Sequence, residues 1–451
     1  MADSALRDKS FYRQLAGLAV PIAFQQFMLA AVSAGDAAML GFVSQDAMAA
    51  VSLAAQIQFV ENLFLAALVS GATILTAQYW GKGDRLTVQR IFCLILRYAL
   101  LVSLVFFLAA LLFPEQLMRI FTSEPELIRI GGEYIRIASG SYLLTGITQC
   151  YLCIMKTTGQ TKQSAGISSF ALALDTVLNA VLIFGLLGFP AMGAQGAALT
   201  TTVSRLIELL LAFVFSRRMA VHPKGLLEIR PSLEKNFWHY SLPILLNSMV
   251  WGIGTAIYSV IIGHLGSDAT AANSVAAIVK NLTCCLCRGV GSGGEILLAS
   301  ILGAGLLEKA MDYGRRLSHA SILCGVVSGA LVLLCGPAIS VFMTLSDAAR
   351  YDLRVMLYIC AFYMMAQSVN VVVVCGVFSA GGDTFFDAYS VAVTMWLIII
   401  PLALAAAFWW KLPALVVYFI LSLDEAVKIP WVYVHYKKYK WVKNITKEEI
   451  L

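Results

Sequence analysis

From Ile91 to Phe113 the chain holds 23 residues with a single charge, Arg97. A helix needs about 20 apolar residues to cross the hydrocarbon of a bilayer, so a run of this length and composition constrains the fold more than any local motif. The same pattern recurs along the sequence. Six segments cover approximately 14–39, 48–80, 87–113, 127–155, 163–187 and 191–216. Six more cover 237–263, 269–302, 317–343, 351–380, 385–409 and 412–436. The runs are continuous and do not alternate with period two, which excludes a transmembrane β-barrel. With 60% apolar and 13% charged residues, a soluble interior has no room for this much hydrocarbon. The expected fold is all-α and membrane-integral, with about twelve transmembrane helices.

Lys and Arg sit unevenly between the segments. One set of loops and ends holds Arg7, Lys9, Arg13, Lys82, Arg85, Arg90, Lys156, Lys162, Arg217, Arg218, Lys224, Arg230, Lys235, Lys309, Arg315 and Arg316, with five lysines from Lys437 to Lys447. The alternate loops and adjoining helix starts hold Arg119, Arg129, Arg136, Arg350, Arg354 and Lys411. The positive-inside rule then places both termini in the cytoplasm, and an even helix count agrees. Localisation is expected in the plasma (inner) membrane. The polar start shows no cleavable signal pattern, so the first segment is expected to serve as the insertion signal. Topology and anionic lipid account for the net charge of +6, and no nucleic-acid partner is implied. The ten cysteines all lie in apolar segments and read as small buried hydrophobes. No cofactor is expected, and no metal beyond a transported sodium.

An internal repeat divides the chain. Residues 21–83 slide over 243–305 without a gap at an offset of 222, with 18 identities in 63 positions. Among the pairs are Pro21/Pro243, Gly41/Gly263, Asp46/Asp268, Gly71/Gly293, Gly81/Gly303 and Gly83/Gly305. Two six-helix bundles follow: residues 1–216 and 237–451, joined by a basic, proline-containing cytoplasmic linker at 217–236. Six is even, so the halves share one orientation and are related by a pseudo-two-fold axis along the membrane normal. The prolines permit kinks in the first helix of each half. The repeated glycines are expected to end the second helix in a tight turn.

Several stretches, taken in order, resemble the multidrug and toxic compound extrusion (MATE) family. They are Gly35-Asp36 through Gly41, Gly71 to Leu75 with Ala77 to Gly83, and Leu178 to Gly185 followed by Gly196 to Leu199. Ser379 to Thr384 and the tail from Glu425 through Trp441 continue the likeness, which spans about 12–445. The resemblance implies an antiporter that exports organic, usually cationic, small molecules in exchange for protons or sodium ions. It also implies a first-half site with an aspartate in the first helix and an Asn-then-Asp pair in the fifth. Here the pair is Asp175 then Asn179, which moves the carboxylate by one turn, about 5 Å. Acids that some members carry in the seventh and tenth helices are replaced here by Trp251 and Ser368, so no second-half sodium site of that type is expected.

The buried charges lead to the same region independently, because a charge at membrane depth costs several kcal/mol unless it meets a cavity or a partner. Asp36 lies well inside the first segment. Asp175 and Asn179 are one turn apart and share a face of the fifth segment, and Thr201 of the sixth offers a further oxygen. Asp36, Asp175, Asn179 and Thr201 are therefore expected to hold the coupling proton or a sodium ion at Asp36 and Asp175; a purely structural helix–helix tie is the alternative. The substrate cavity is expected to draw on Gln25, Asn247, Glu61, Trp251, Tyr258, Lys280, Arg288 and Glu295. Glu61 has the alternative of pairing with Lys280, and Lys280, Arg288 and Glu295 of forming a salt-bridge ladder. Trp80, Trp238, Trp409, Trp410 and Trp441, near segment ends, read as interfacial anchors. The expected partners are a small-molecule substrate and membrane lipid, with one chain sufficient as a monomer. A flippase for lipid-linked oligosaccharide is the rival function, on the strength of Lys280 and Arg288. A receptor, channel or enzyme fits the repeat and the missing nucleophile–base set less well.

Overall fold

The structure is a computed structural model and describes residues 2–217, 223, 225, 226, 228–342 and 346–447. Arg218 and Lys224, with part of the expected linker, lie outside the described residues. Among those residues the chain is built from helices: α1 (Ala2–Val43), α2 (Gln45–Lys82), α3 (Arg85–Leu112), α4 (Pro114–Arg119), α5 (Pro125–Thr157), α6 (Thr161–Phe184) and α7 (Gly193–Ser216). The second half supplies α8 (Pro231–Gly263), α9 (Ser267–Gly303), α10 (Leu307–Phe342), α11 (Asp347–Asn370), α12 (Phe385–Val391), α13 (Ile400–Leu404), α14 (Ala414–Leu421) and α15 (Asp424–Tyr436).

Among the described residues, eleven helical spans are long and apolar enough to cross a membrane. Two of them, Asp46–Lys82 and Ser267–Gly303, are 37 residues long, each the second of its half. At 1.5 Å per residue each measures about 55 Å, well beyond the hydrocarbon thickness. The twelfth expected segment is broken: α14 ends at Leu421 and α15 starts at Asp424. In the tenth and eleventh segments the helix widens into π turns, over Val371–Phe378 and over Ala392–Ile399 and Ala405–Trp409, so each remains continuous while its α register shifts.

Local chemistry sets the ends. Asp84 caps α3, its carboxylate accepting from the Thr87 amide at 3.0 Å, and Ser346 caps α11 through the Ala349 amide at 3.1 Å. Gly83 (φ +84°) and Gly305 (φ +79°) occupy the left-handed conformation just past α2 and α9, as the repeat predicts. Where α3 faces outward, the exposed residues are apolar at helical spacing: Leu101 and Val105 at 62% and Leu112 at 60%. Such a stripe is stable in lipid and not in water. The protein is a multi-pass membrane protein.

The chain packs as two compact units that do not follow the sequence halves. The first comprises Met1–Gln26, Ala77–Gly83 and Leu242–Leu451; the second comprises Phe27–Thr76 and Asp84–Ser241. Glycines explain the exchange. In the first unit a Cβ on Gly293 of α9 would lie 2.8 Å from the Ala19 nitrogen of α1. In the second, a Cβ on Gly71 of α2 would lie 1.9 Å from Ser241 Oγ of α8. Gly71 and Gly293, like Ala19 and Ser241, are 222 residues apart, so the first helix of each half packs on the second helix of the other. Within the first unit the contact is also reciprocal at the helix ends. A Cβ on Gly81 would meet Ser300 O at 1.9 Å, and one on Gly303 would meet Gln78 O at 1.9 Å. Those four positions again pair at 222, the signature of a local two-fold.

The C-terminal tail is part of the first unit's core. Gln78, fully buried, donates to Ala380 O at 2.7 Å and accepts from the Ile445 amide at 3.0 Å. Trp441 is 0% exposed, against the expectation of an interfacial anchor: close approach at Gly314 and Gly381 lets its ring and backbone enter the core. Trp409 and Trp410, 84% and 60% exposed, have the exposure that such an anchor requires.

Candidate functional site

In the second unit, α1, α2, α5, α6 and α7 surround a cavity of ≈ 630 Å³ whose lining includes Asp36, Tyr134, Asp175, Thr201 and Arg205. Asp36 comes from the last third of α1. Asp175 and Asn179, one turn apart on α6, face the same way, and both are buried. Asn179 is the bridge: its Nδ2 donates to Asp36 Oδ1 at 2.8 Å and to Asp175 Oδ2 at 3.4 Å. One amide donor group thus serves two carboxylates. Thr201 Oγ donates to Ala197 O at 3.0 Å, within its own helix, and lies beside Tyr134, so its oxygen can still accept.

The group has oxygen atoms to spare. Asp175 Oδ1 and Asn179 Oδ1 are buried without a well-formed hydrogen bond among the described residues, the buried Ser204 hydroxyl being the donor beside Asp175. An acceptor buried without a partner costs about 1–3 kcal/mol, so two side by side need an explanation. Carboxylate, amide and hydroxyl oxygens are the donor set a hard cation prefers, and an unpaired carboxylate oxygen is equally where a proton would sit. Next to this group Arg205 is held by Glu208 at 2.7 Å, and Glu208 also accepts from Ser168 at 2.7 Å. Arg205 is thereby paired from its own helix, and its charge also acts on Asp175.

Glu61 does not line this cavity. It is 0% exposed, and its Oε1 accepts from Ser103 Oγ at 2.8 Å while Oε2 has no partner among the described residues. The expected pairing with Lys280 is not formed; Ser103 of α3 takes that place.

In the first unit, a cavity of ≈ 250 Å³ is lined by four of the expected residues, Trp251, Tyr258, Lys280 and Arg288. Glu295, 8% exposed, and Gln25 and Asn247 lie outside its lining. The salt-bridge ladder expected of Lys280, Arg288 and Glu295 is absent among the described residues. The reason is spacing: seven and eight residues along a helix are about 10 and 12 Å, beyond the reach of direct pairing. Lys280 Nζ instead lies 4.7 Å from the ring centroid of Tyr363.

The broken twelfth segment brings in polar residues that sequence reasoning missed or undervalued. Asp387 accepts from Lys428 Nζ at 2.8 Å and from Asn247 Nδ2 at 2.7 Å. Asn370 donates to the carboxylate of Glu425 at 2.6 Å, and Tyr258 to Asp424 at 3.5 Å. Asp387 stands three residues into an apolar segment, where a lone acid looks interfacial; only the position of Lys428 on α15 makes it part of an interior network. In the other cavity Tyr134 and the amides Gln56, Gln58 and Asn62 of α2 were likewise unmarked, although Gln58 and Asn62 stand one turn apart in an otherwise apolar run.

The ten cysteines are free, eight of them buried, with Cys284 and Cys287 sulfurs 3.5 Å apart. Among the described residues no group of three or more His, Cys, Asp or Glu is arranged to hold a metal ion.

Comparison with known proteins gives one consistent picture. The MatE family model matches residues 21–181 and 243–405, so its two copies begin 222 residues apart, at Pro21 and Pro243. A probable multidrug resistance protein NorM of Thermotoga maritima is 23% identical, over 97% of this chain and 95% of that protein. A MOP superfamily transporter from Pyrococcus furiosus superposes with a TM-score of 0.86 at 15% identity, covering 95% of each chain. A MATE protein solved in complex with MaL6 gives 0.86 at 16%, covering 95% of this chain and 96% of that one.

Proposed function

The chain belongs to the MatE family of multidrug efflux transporters, and from that premise we propose that it is a secondary antiporter exporting organic compounds in exchange for protons or sodium ions. The observation that carries this reading is the Asp36–Asn179–Asp175 group, with its two buried acceptor oxygens left open beside a cavity. A proton on Asp175 Oδ1 removes one of them by turning that oxygen into a donor, and a sodium ion among the oxygens of Asp36, Asp175, Asn179 and Thr201 satisfies both. Asn179 positions the two acids by sharing its amide donor between them. Arg205, paired with Glu208, adds a positive charge that acts on Asp175 from the side.

Coupling requires that ion and substrate favour different conformations, since a ligand with equal affinity for two states shifts nothing. The six-helix halves, 1–216 and 237–451, with the opening turns of their first helices exchanged, would supply the elements that alternate, with 217–236 as the cytoplasmic linker. Neutralising Asp36 and Asp175 from outside favours release of substrate outward. Both termini are placed in the cytoplasm by the lysine and arginine distribution, in the inner membrane, with one chain sufficient. The relatives named as multidrug resistance proteins weigh against a lipid-linked oligosaccharide flippase.

The test is uptake of a fluorescent lipophilic cation into inside-out proteoliposomes under an imposed proton gradient and, separately, a sodium gradient. Uptake driven by one gradient is expected, and Asp36→Asn and Asp175→Asn are expected to abolish it. Undiminished gradient-driven uptake by both variants would remove the site from the mechanism.

A further inference from the structure

The coupling group makes no use of the two cations of α9. Lys280 and Arg288 line the same ≈ 250 Å³ cavity in the first unit, about 12 Å apart along the helix. Among the described residues neither is in an ion pair. Lys280 rests over the Tyr363 ring, and the cavity's one acidic lining residue, Asp424, accepts from Tyr258. Glu425, beside Asp424 and outside the lining, adds a second negative charge near Lys280, so Arg288 is the lining cation with no carboxylate partner among the described residues. A cation so placed inside a membrane-embedded protein is costly unless a ligand supplies negative charge.

We infer that this cavity binds the anionic group of an aromatic compound, a carboxylate or sulfonate, with Arg288 as its partner. The planar guanidinium matches such a group in a two-point contact that an ammonium cannot make. Trp251, Tyr258 and Tyr363 supply rings for the aromatic body. An anionic lipid headgroup presents the same charge to the same residues, and the two sources differ in what the rest of the molecule must pack against. The inference takes its biological meaning from the efflux reading above, and extends it from lipophilic cations to aryl anions; binding itself needs no gradient.

The experiment is isothermal titration of the purified full chain in dodecyl maltoside with 2-naphthoate and, as its opposite in charge, 2-naphthylmethylammonium. Naphthoate is expected to bind more tightly. Arg288→Gln should weaken it about tenfold or more, as expected for loss of hydrogen bonds to a charged group, with Arg288→Lys in between. Lys280→Gln gives an independent reading should Arg288→Gln fold poorly, which thermal unfolding of each variant reports. Dodecyl phosphate distinguishes the sources. If it binds more tightly than naphthoate, with the same dependence on Arg288, the anion site stands and is assigned to a lipid headgroup; if it fails to displace naphthoate, the free aryl anion is the occupant. Tighter binding of the ammonium, or naphthoate affinity unchanged in a folded Arg288→Gln, would overturn the inference. Its failure is separable from that of the antiport reading. Absent naphthoate binding with intact cation antiport removes only this proposal, and lost antiport with intact naphthoate binding removes only the other.

Discussion

Replacing Gly81 by alanine places a carbon 1.9 Å from the Ser300 carbonyl oxygen, where ordinary contact begins at 3.4 Å. The shortfall is 1.5 Å (3.4 − 1.9), and no rotamer change relieves it because the obstacle is backbone. Overpacking of this kind costs about 1–3 kcal/mol; with a rigid obstacle the upper end applies. Alanine's better helix propensity returns about 1 kcal/mol, so the net loss is about 2 kcal/mol. Gly303→Ala should cost the same, since its clash with Gln78 O is the same contact seen from the other repeat. The double variant should cost less than the sum, because helices parted by the first methyl already admit much of the second. Gly166→Ala in α6, with nothing within 4 Å, is the control and should be neutral or slightly stabilising. Thermal unfolding in mild detergent reads all four. If Gly81→Ala and Gly303→Ala behave like Gly166→Ala, or the double variant is strictly additive, the reciprocal contact is not a feature of the folded protein.

Other outcomes follow from the same geometry. Asn179→Leu should cut gradient-driven transport sharply while leaving the protein folded, because both carboxylates lose their shared donor; unchanged transport kinetics would deny Asn179 its positioning role. Lys428→Met leaves Asp387 largely buried without its cation and should cost about 3–5 kcal/mol in unfolding measurements. Adding Asp387→Leu should recover most of that loss, and no recovery would count against the pair. Trp441→Ala should destabilise by about 3–5 kcal/mol through the cavity it leaves. Trp441→Phe should cost much less, since the indole nitrogen is buried without a partner among the described residues; equal losses would contradict the packing described.

What the sequence disclosed and what it hid differ for physical reasons. The repeat glycines were legible because a close backbone approach and a left-handed turn each admit few residues besides glycine, so chemistry fixes identity. Asp36, Asp175 and Asn179 were legible because one helical turn dictates which side chains share a face. The break at Ser422 and Leu423 was not, since no proline or glycine marks it. Nor were the π turns over Val371–Phe378, where an unbroken apolar run reads the same in either register. The Trp441 reading failed for a related reason: a tryptophan after a run of lysines looks interfacial until Gly314 and Gly381, far from it in sequence, open space for it. The Asp387–Lys428 pair depends on two helices whose approach no local pattern encodes.

The exchange of the opening turns of the first helices between the packing units also sets a timetable for biogenesis. Phe11 of α1 stacks edge-on against Tyr313 of α10, their ring centroids 4.7 Å apart, though they lie some 300 residues apart in the chain. At about 5–20 residues per second, translation delivers Tyr313 roughly 15–60 s after Phe11. Throughout that interval the opening turns of α1 lack the partners on α9 and α10 that they pack against in the finished fold. Whatever shields them meanwhile, translocon or insertase, must release them only once α9 and α10 have arrived, which makes late release of the first helix a requirement of this fold.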